Sequence, residues 1–192
     1  EIEAIVKVRD NWISVGIHPW YINKEDWQKY LQILKKWIDN EQVMAVGECG
    51  LDRLAQVSIA QQLLVFDAQV KLAEQVQKPV IIHCVKRFSQ LIPFQKKSKV
   101  PMIVHGFKKR KTIGDDLLKH DFYLSFGKSV LQNVNLQDFV RDFPIEKMFL
   151  ETDSADFDIK DLYEKVAEIK NLKLEEFNQK IMKNLHFLNI PS

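Results

Sequence analysis

Five apolar runs of the sequence end in, or are followed by, a residue whose side chain could bind a metal or a substrate or carry a proton. These residues are His18, Glu48, His83, His105 and Asp153. The carboxyl ends of parallel strands meet at one edge of an α/β fold, where active sites lie, so we expect these side chains to lie close together. Imidazole and carboxylate groups are common ligands of Zn²⁺, Mn²⁺ and Mg²⁺. The pattern therefore predicts a metal site.

Such a site could hydrolyse a phosphoester. A carboxylate such as Glu48 can bridge two ions, and one such as Asp153 can complete the coordination of an ion or take a proton from water. Two ions about 3.5–4 Å apart would activate water and stabilise both oxygens of an in-line displacement. For each residue taken alone, the alternative is a hydrogen-bonded histidine or a capping acid at the end of a strand.

Short apolar runs alternate with amphipathic helical patterns along the chain, which is typical of βαβ units and a parallel sheet. The runs are continuously apolar, as in parallel strands covered on both faces. The predicted strands are Trp12–Ile17, Val43–Glu48, Pro79–Cys84, Pro101–Phe107, Phe122–Gly127 and Lys147–Asp153. Six strands fit a doubly wound sheet or most of a (β/α)₈ barrel, which typically needs about 250 residues.

Composition limits the class of protein. The 192 residues suit one globular domain over residues 1–192, and a net charge of +2 gives no sign of a basic nucleic-acid-binding tail. Two cysteines and no apolar run long enough to cross a membrane predict a soluble, cytoplasmic protein. The sequence contains neither a glycine-rich phosphate loop nor a G-x-S-x-G motif, so nucleotide cofactors and serine-hydrolase chemistry have no support.

Several segments, in their order and spacing, resemble the TatD family of metal-dependent deoxyribonucleases. They are SVGIHPW, AVGECGLD, QQLLVFDAQVKLAEQVQKPVIIHC, VHGF, YLSFG and LETDS. The resemblance implies a TIM-type (β/α) barrel of the metal-dependent hydrolase superfamily that cleaves DNA phosphodiester bonds with metal-activated water. It implies one or two divalent ions, with Mg²⁺ expected and Mn²⁺ or Zn²⁺ as alternatives. The implied partner is DNA, as single strands or ends, and no membrane is involved.

The resemblance also implies a role for each candidate residue. Glu48 would bridge two metals, and His83 and His105 would be ligands of one of them. Asp153 would lie beside the other metal and accept a proton from the attacking water. His18 would contact the scissile phosphate. Catalysis would therefore depend on Asp153, Glu48 and His18.

The sequence departs from the family pattern near this site. The family opens with an H-x-H strand that supplies two ligands to one metal, and no H-x-H occurs here, so the barrel is expected to be incomplete at its N-terminus. Either the native protein has this segment or the chain is a short member that lost a metal. Arg53 replaces a usual aromatic residue, and Ala155 stands where a proline is frequent. Arg53, Arg87 and the basic run Lys108–Lys111 could contact phosphates or be solvated.

Three functions remain open from the sequence. The first is a deoxyribonuclease, and the second is a hydrolase of another ester or amide on the same scaffold. The third is a non-catalytic or metal-depleted barrel protein with a binding role, which the missing H-x-H favours. Two aromatic residues, Trp20 and Tyr21, could stack on a base or pack between a helix and the barrel.

Overall fold

The structure is a computed structural model that describes residues 12–189. Residues 1–11 and 190–192 belong to the predicted domain over residues 1–192 but lie outside the described residues.

All strands of the described range form one parallel sheet in chain order. They are β1 (Ile13–Val15), β2 (Val43–Asp52), β3 (Val80–Val85), β4 (Met102–Val104), β5 (Tyr123–Phe126) and β6 (Met148–Leu150). Each strand pairs in parallel with the next. The predicted parallel α/β architecture is therefore confirmed, and its carboxyl edge collects the ends of strands that are far apart in sequence.

Helices connect the strands, as the alternating pattern predicts. They are α1 (Trp27–Trp37), α2 (Ile59–Val76), α3 (Ile92–Gln95), α4 (Lys111–Lys119), α5 (Val134–Asp142), α6 (Ile159–Ile169) and α7 (Leu174–Phe187). Short 3₁₀ turns lie at Pro19–Tyr21, Phe88–Gln90, Lys128–Leu131 and Ile145–Lys147. Within the described range, no helix is both long and apolar enough to cross a membrane.

Two apolar clusters cover the two faces of the sheet. The larger lies between the strands and the helices and contains buried phenylalanines such as Phe66, Phe126 and Phe139. The smaller consists of Ile103, Tyr123, Phe149 and Leu188. Side chains two residues apart on a strand point to the same face of the sheet. Positions 105 and 151, at the carboxyl edge, therefore share a face with Ile103 and Phe149 of the smaller cluster.

Strand β2 continues past Glu48, so the predicted end of this strand is wrong by four residues. Its pairing with β3 is irregular between Val46 and Cys49 and resumes through Asp52. Gly50 has a φ of 144°, and a Cβ atom there would lie 2.1 Å from the carbonyl oxygen of His83. Only glycine therefore allows β2 and β3 to approach this closely.

Candidate metal centre

The structure brings the four predicted metal ligands and the predicted phosphate contact His18 to the carboxyl edge of the sheet. His18 follows β1, Glu48 and His83 lie within β2 and β3, His105 directly follows β4, and Asp153 lies three residues beyond β6. They form two groups in which the possible ligand atoms all lie within 4.8 Å of one another. One group is His18, Glu48 and His83, and the other is Glu48, His105 and Asp153. Glu48 is common to both.

His105 lies between two carboxylates. Its Nε2 atom is 3.1 Å from Oε2 of Glu48, and its Nδ1 atom is 3.6 Å from Oε1 of Glu151. Burial alone would lower the pKa of His105, but the two carboxylates outweigh it and raise that pKa to about 10. The same contact with His105 lowers the pKa of Glu48. At neutral pH, His105 is therefore a charged imidazolium and Glu48 is a carboxylate.

Glu151 was missed as a site residue by sequence reasoning. Its Oε1 atom is buried, makes no hydrogen bond within residues 12–189, and lies 3.6 Å from the Nδ1 atom of His105. A carboxylate behind a histidine fixes the ring and raises its basicity, as is usual for metal-binding histidines. The signal in the sequence was the two-residue alternation along the last strand, because Phe149 and Glu151 point to the same face.

Asp52 is the second residue that sequence reasoning missed. It is 1% exposed, and its Oδ2 atom lies 2.8 Å from Nε2 of His83 and 2.7 Å from Nε1 of Trp20. Burial alone would raise the pKa of Asp52, but the hydrogen bonds it accepts lower it, so the group is ionised. A carboxylate only accepts, so His83 donates through Nε2, and Nδ1 is the ring nitrogen left to face a metal.

Two buried glutamines of α2 hold the backbone near the site. Gln62 accepts from the amide of Asp52 at 2.7 Å and donates to its carbonyl at 3.0 Å. Gln69 accepts from the amide of Ile17 at 2.6 Å and donates to its carbonyl at 3.2 Å. The two glutamines are seven residues apart and share a helix face. They tie β2 and the segment before His18 to one rigid helix.

His18 begins the 3₁₀ turn Pro19–Tyr21, and the fixed φ of Pro19 suits the first position of such a turn. The Nδ1 atom of His18 accepts from the amide of Trp20 at 3.2 Å. Burial and the nearby His83 lower the pKa of His18, so the ring is neutral at pH 7. A neutral imidazole that accepts at Nδ1 carries its proton on Nε2. His18 is thus a hydrogen-bond donor at its remaining nitrogen.

A cavity of about 320 Å³ adjoins the second group of ligands. Glu151 and Asp153 line it together with two exposed lysines, Lys108 and Lys128, and Ser129 lies at the same wall. Negative and positive side chains therefore border one space, in which a phosphate could meet both a cation site and ammonium groups.

The other predicted phosphate contacts differ in exposure. Arg53 is exposed directly after β2, and Arg87 is half-buried with an Nε atom that has no hydrogen-bond partner within residues 12–189. Neither lines the cavity. Of the basic run, Lys108 borders the cavity, whereas Lys111 lies in ion pairs 3.2 Å from Asp115 and 3.9 Å from Asp142. The run therefore has one lysine at the cavity and one in surface ion pairs.

The donor set suits a divalent ion. Imidazole nitrogens and carboxylate oxygens converge in both groups, and the oxygen of Glu151 that lacks a hydrogen bond supports the histidine of the second. Mixed nitrogen and oxygen ligands are accepted by Zn²⁺ and Mn²⁺, and carboxylates also by Mg²⁺. The residues present therefore fit a metal ion.

Comparison with known proteins decides the family. The family model described as TatD related DNase matches residues 1–188. The chain belongs to this family. The resemblance found in the motifs is therefore confirmed, and the TatD family includes relatives described as metal-dependent hydrolases.

Two relatives illustrate the range of names. An uncharacterized metal-dependent hydrolase of Buchnera aphidicola is 31% identical, and the match covers 96% of this chain and 76% of that protein. A 3'-5' ssDNA/RNA exonuclease TatD of Pantoea sp. is 29% identical, and the match covers 74% of this chain. The chain spans only 57% of the length of that exonuclease.

A solved structure confirms the fold. The TatD homologue YJJV from Escherichia coli superposes with a TM-score of 0.83 at 21% identity, over 99% of this chain and 81% of that one. The six parallel strands of residues 12–189 match this neighbour and confirm the expected TIM-type barrel architecture, of which these residues form an incomplete barrel.

Proposed function

We propose that this chain is a metal-dependent phosphodiesterase that cleaves DNA. The observation that carries the proposal is the position of Glu48, whose carboxylate belongs to both groups of possible ligands. A carboxylate shared in this way could bridge two ions, which is the role proposed for Glu48 in a two-metal site. Glu48, His83, His105 and Asp153 would hold the metal, and Mg²⁺ is the ion that we propose, with Mn²⁺ or Zn²⁺ as substitutes.

A divalent ion held there would supply Lewis acidity and an activated water. The protein's own groups would do the rest. Asp153 is exposed at the wall of the cavity, so its carboxylate can accept a proton from the attacking water. His18 is neutral with a proton on Nε2, so it can donate a hydrogen bond to a phosphoryl oxygen.

Cationic side chains would hold the rest of the phosphate backbone. Lys108 and Lys128 border the cavity, and Arg53 and Arg87 follow β2 and β3 at the same edge. Arginine pairs with phosphate through two parallel hydrogen bonds, whereas lysine acts as a point charge. Such contacts orient a nucleic acid without selecting its sequence.

A relative supports a single-stranded substrate. The exonuclease from Pantoea sp. is described as acting on ssDNA and RNA. We propose single-stranded DNA or DNA ends for this chain, because a cavity at the edge of a sheet admits an extended strand more easily than a duplex.

The test is an assay of nucleotide release from end-labelled single-stranded DNA with Mg²⁺ or Mn²⁺, and with EDTA as a blank. We expect release by the wild type and a rate of release at least roughly 10–100-fold lower in Glu48→Gln. Losing a residue that only supports a metal ligand has an effect of this size, so losing the ligand itself should cost no less. The matched control is Glu41→Gln, because Glu41 is exposed just before β2. It should retain full activity.

Two outcomes would contradict the proposal. One is the absence of metal-dependent release by the wild type, which would favour a non-catalytic binding protein. The other is full release by Glu48→Gln with its metal content retained, which would exclude the bridging role. Metal content is measured on the same samples by elemental analysis.

A further inference from the structure

One oxygen of Asp52 holds two rings at once. The Oδ2 atom accepts from Nε2 of His83 at 2.8 Å and from the indole Nε1 of Trp20 at 2.7 Å. The other oxygen, Oδ1, accepts from the amide of Leu54 at 2.7 Å. Both oxygens are therefore engaged, and the orientation of the carboxylate is fixed. The positions of the histidine and the indole are then fixed relative to each other.

The indole is anchored by its edge while most of the ring stays in solvent. Trp20 is 59% exposed, and the neighbouring Tyr21 is 74% exposed. The interpretation that these aromatic residues pack between a helix and the barrel is therefore wrong. A large exposed ring that is held by a buried hydrogen bond loses little conformational entropy when a ligand stacks on it.

The surroundings indicate what would stack there. The ring of Trp20 lies 6.0 Å from that of His18, which in turn lies 4.3 Å from that of His83. A phosphate at His18 would bring the attached nucleoside within reach of the indole. Arg53 directly follows β2, Lys86 directly follows β3, and both are exposed. Their positive charges suit contacts with the phosphate backbone on either side of the stacked base.

We propose that Trp20 is a stacking surface for a nucleobase of a single-stranded substrate, and that Asp52 is the positioning residue that fixes it relative to His83. The inference rests on the proposed function, and it adds a base contact to a site otherwise directed at phosphates. A base inside a duplex has both faces covered by its neighbours, so a single strand is the form that can use this surface. Every base has a π-face, so little sequence preference follows.

The first experiment measures binding without hydrolysis. Fluorescence anisotropy with EDTA present compares a short labelled oligothymidylate with the same strand lacking bases at its terminal positions. We expect Trp20→Leu to bind the base-bearing strand about tenfold more weakly, and to lose the difference between the two strands. The matched control is Trp12→Leu, because Trp12 is 52% exposed at the amino end of β1. It should behave as the wild type.

The second experiment tests Asp52 as a positioning residue. Asparagine cannot accept all three N–H groups, because its amide nitrogen must face either Leu54 or the two rings. Asp52→Asn should therefore weaken binding about as much as Trp20→Leu, and should shift the indole N–H resonance of Trp20 in a proton NMR spectrum. Trp20→Phe assigns that resonance by removing it. The same variant retains a ring without the N–H, so combining it with Asp52→Asn should give less than the sum of the two effects.

These outcomes separate the inference from the proposed function. Equal binding of both strands by the wild type, or wild-type binding by Trp20→Leu, would overturn the stacking surface even where DNA is hydrolysed. An unchanged indole resonance in Asp52→Asn would overturn the positioning role. Base-dependent binding through Trp20 without any metal-dependent hydrolysis would support the surface and contradict the nuclease.

Discussion

The Nε2 atom of His105 lies 3.1 Å from the Oε2 atom of Glu48, so two proposed metal ligands form an ion pair with each other. A divalent ion needs the lone pair of that nitrogen and one of those oxygens. Binding must therefore replace the proton that His105 carries. Protonation and metal binding compete at this pair.

This competition predicts a pH dependence of metal binding. The pKa of His105 is about 10 in the folded protein and 6.5 in its ordinary state, so the ring is protonated at pH 7. Metal affinity should rise with pH up to about 10, and near pH 7 about one proton should be released per ion bound. Calorimetry in two buffers of different ionisation enthalpy measures the release. His105→Gln should abolish it, and His120→Gln should not. Release that His105→Gln leaves unchanged would contradict the assignment.

His18→Ala should separate a phosphate contact from a metal ligand. The Nδ1 atom of His18 accepts from the amide of Trp20, so Nε2 carries the proton and would have to lose it before His18 could bind a metal. We expect turnover on single-stranded DNA to fall about 10²-fold, as for loss of a donor to a developing charge, with metal content unchanged. Metal content and turnover are measured on one sample. Loss of bound metal would identify His18 as a ligand, and unchanged turnover would remove its role.

Gln62→Leu should destabilise the fold. Gln62 is 2% exposed and bonds the amide and carbonyl of Asp52 and the carbonyl of Val57. Leucine would leave the buried amide of Asp52 unpaired and remove the bonds to the two carbonyls, at a cost of about 2–4 kcal/mol in the free energy of unfolding. Chemical denaturation measures the loss. The control is Gln75→Leu on the exposed face of α2, for which we expect a change within about 0.5 kcal/mol. Equal effects would show that the hydrogen bonds are not responsible.

Lys108→Gln should weaken DNA binding in a salt-dependent way. Lys108 borders the cavity beside Asp153, and each lost phosphate contact reduces the slope of log affinity against log salt by about 0.7 for a single strand. Titrations at several salt concentrations give the slope. Lys111→Gln is the control from the same basic run, because Lys111 is paired with Asp115 and lies 5.5 Å from the ring of Phe139. A slope equal to that of the wild type would assign Lys108 to solvent.

The sequence allowed prediction of much of the fold because parallel strands buried on both faces are continuously apolar. The residues at which the strands end were predicted less accurately, as for β2, which continues to Asp52. The residues at the carboxyl edge followed from those runs, since strand ends in a parallel sheet converge wherever they lie in the chain. His83 and His105 could therefore be assigned to one edge from sequence although they are 22 positions apart, but the structure places them in different groups of possible ligands, not together as the resemblance implied.

The supporting residues could not be found in the same way. Asp52 lies beyond the predicted end of β2, because the pattern of apolar residues stops at Glu48 while the backbone hydrogen bonds with β3 continue. Its partners, His83 and Trp20, are brought to it only by the sheet. Gln62 is a polar residue on a buried face of α2. Its hydrogen bonds are made to the backbone of Asp52 and Val57, whose position cannot be inferred from the sequence of the helix.

The contact between Gly50 and His83 has a consequence for altering this protein's substrate. A single added carbon at position 50 would lie 2.1 Å from the carbonyl oxygen of His83, so Gly50, which we call the floor of the site, permits no larger residue. Residues such as Trp20 and Lys108 are instead bordered by solvent. Mutant libraries that aim at new substrates should therefore diversify the rim and leave the floor unchanged, because any gain there would first require two strands to separate.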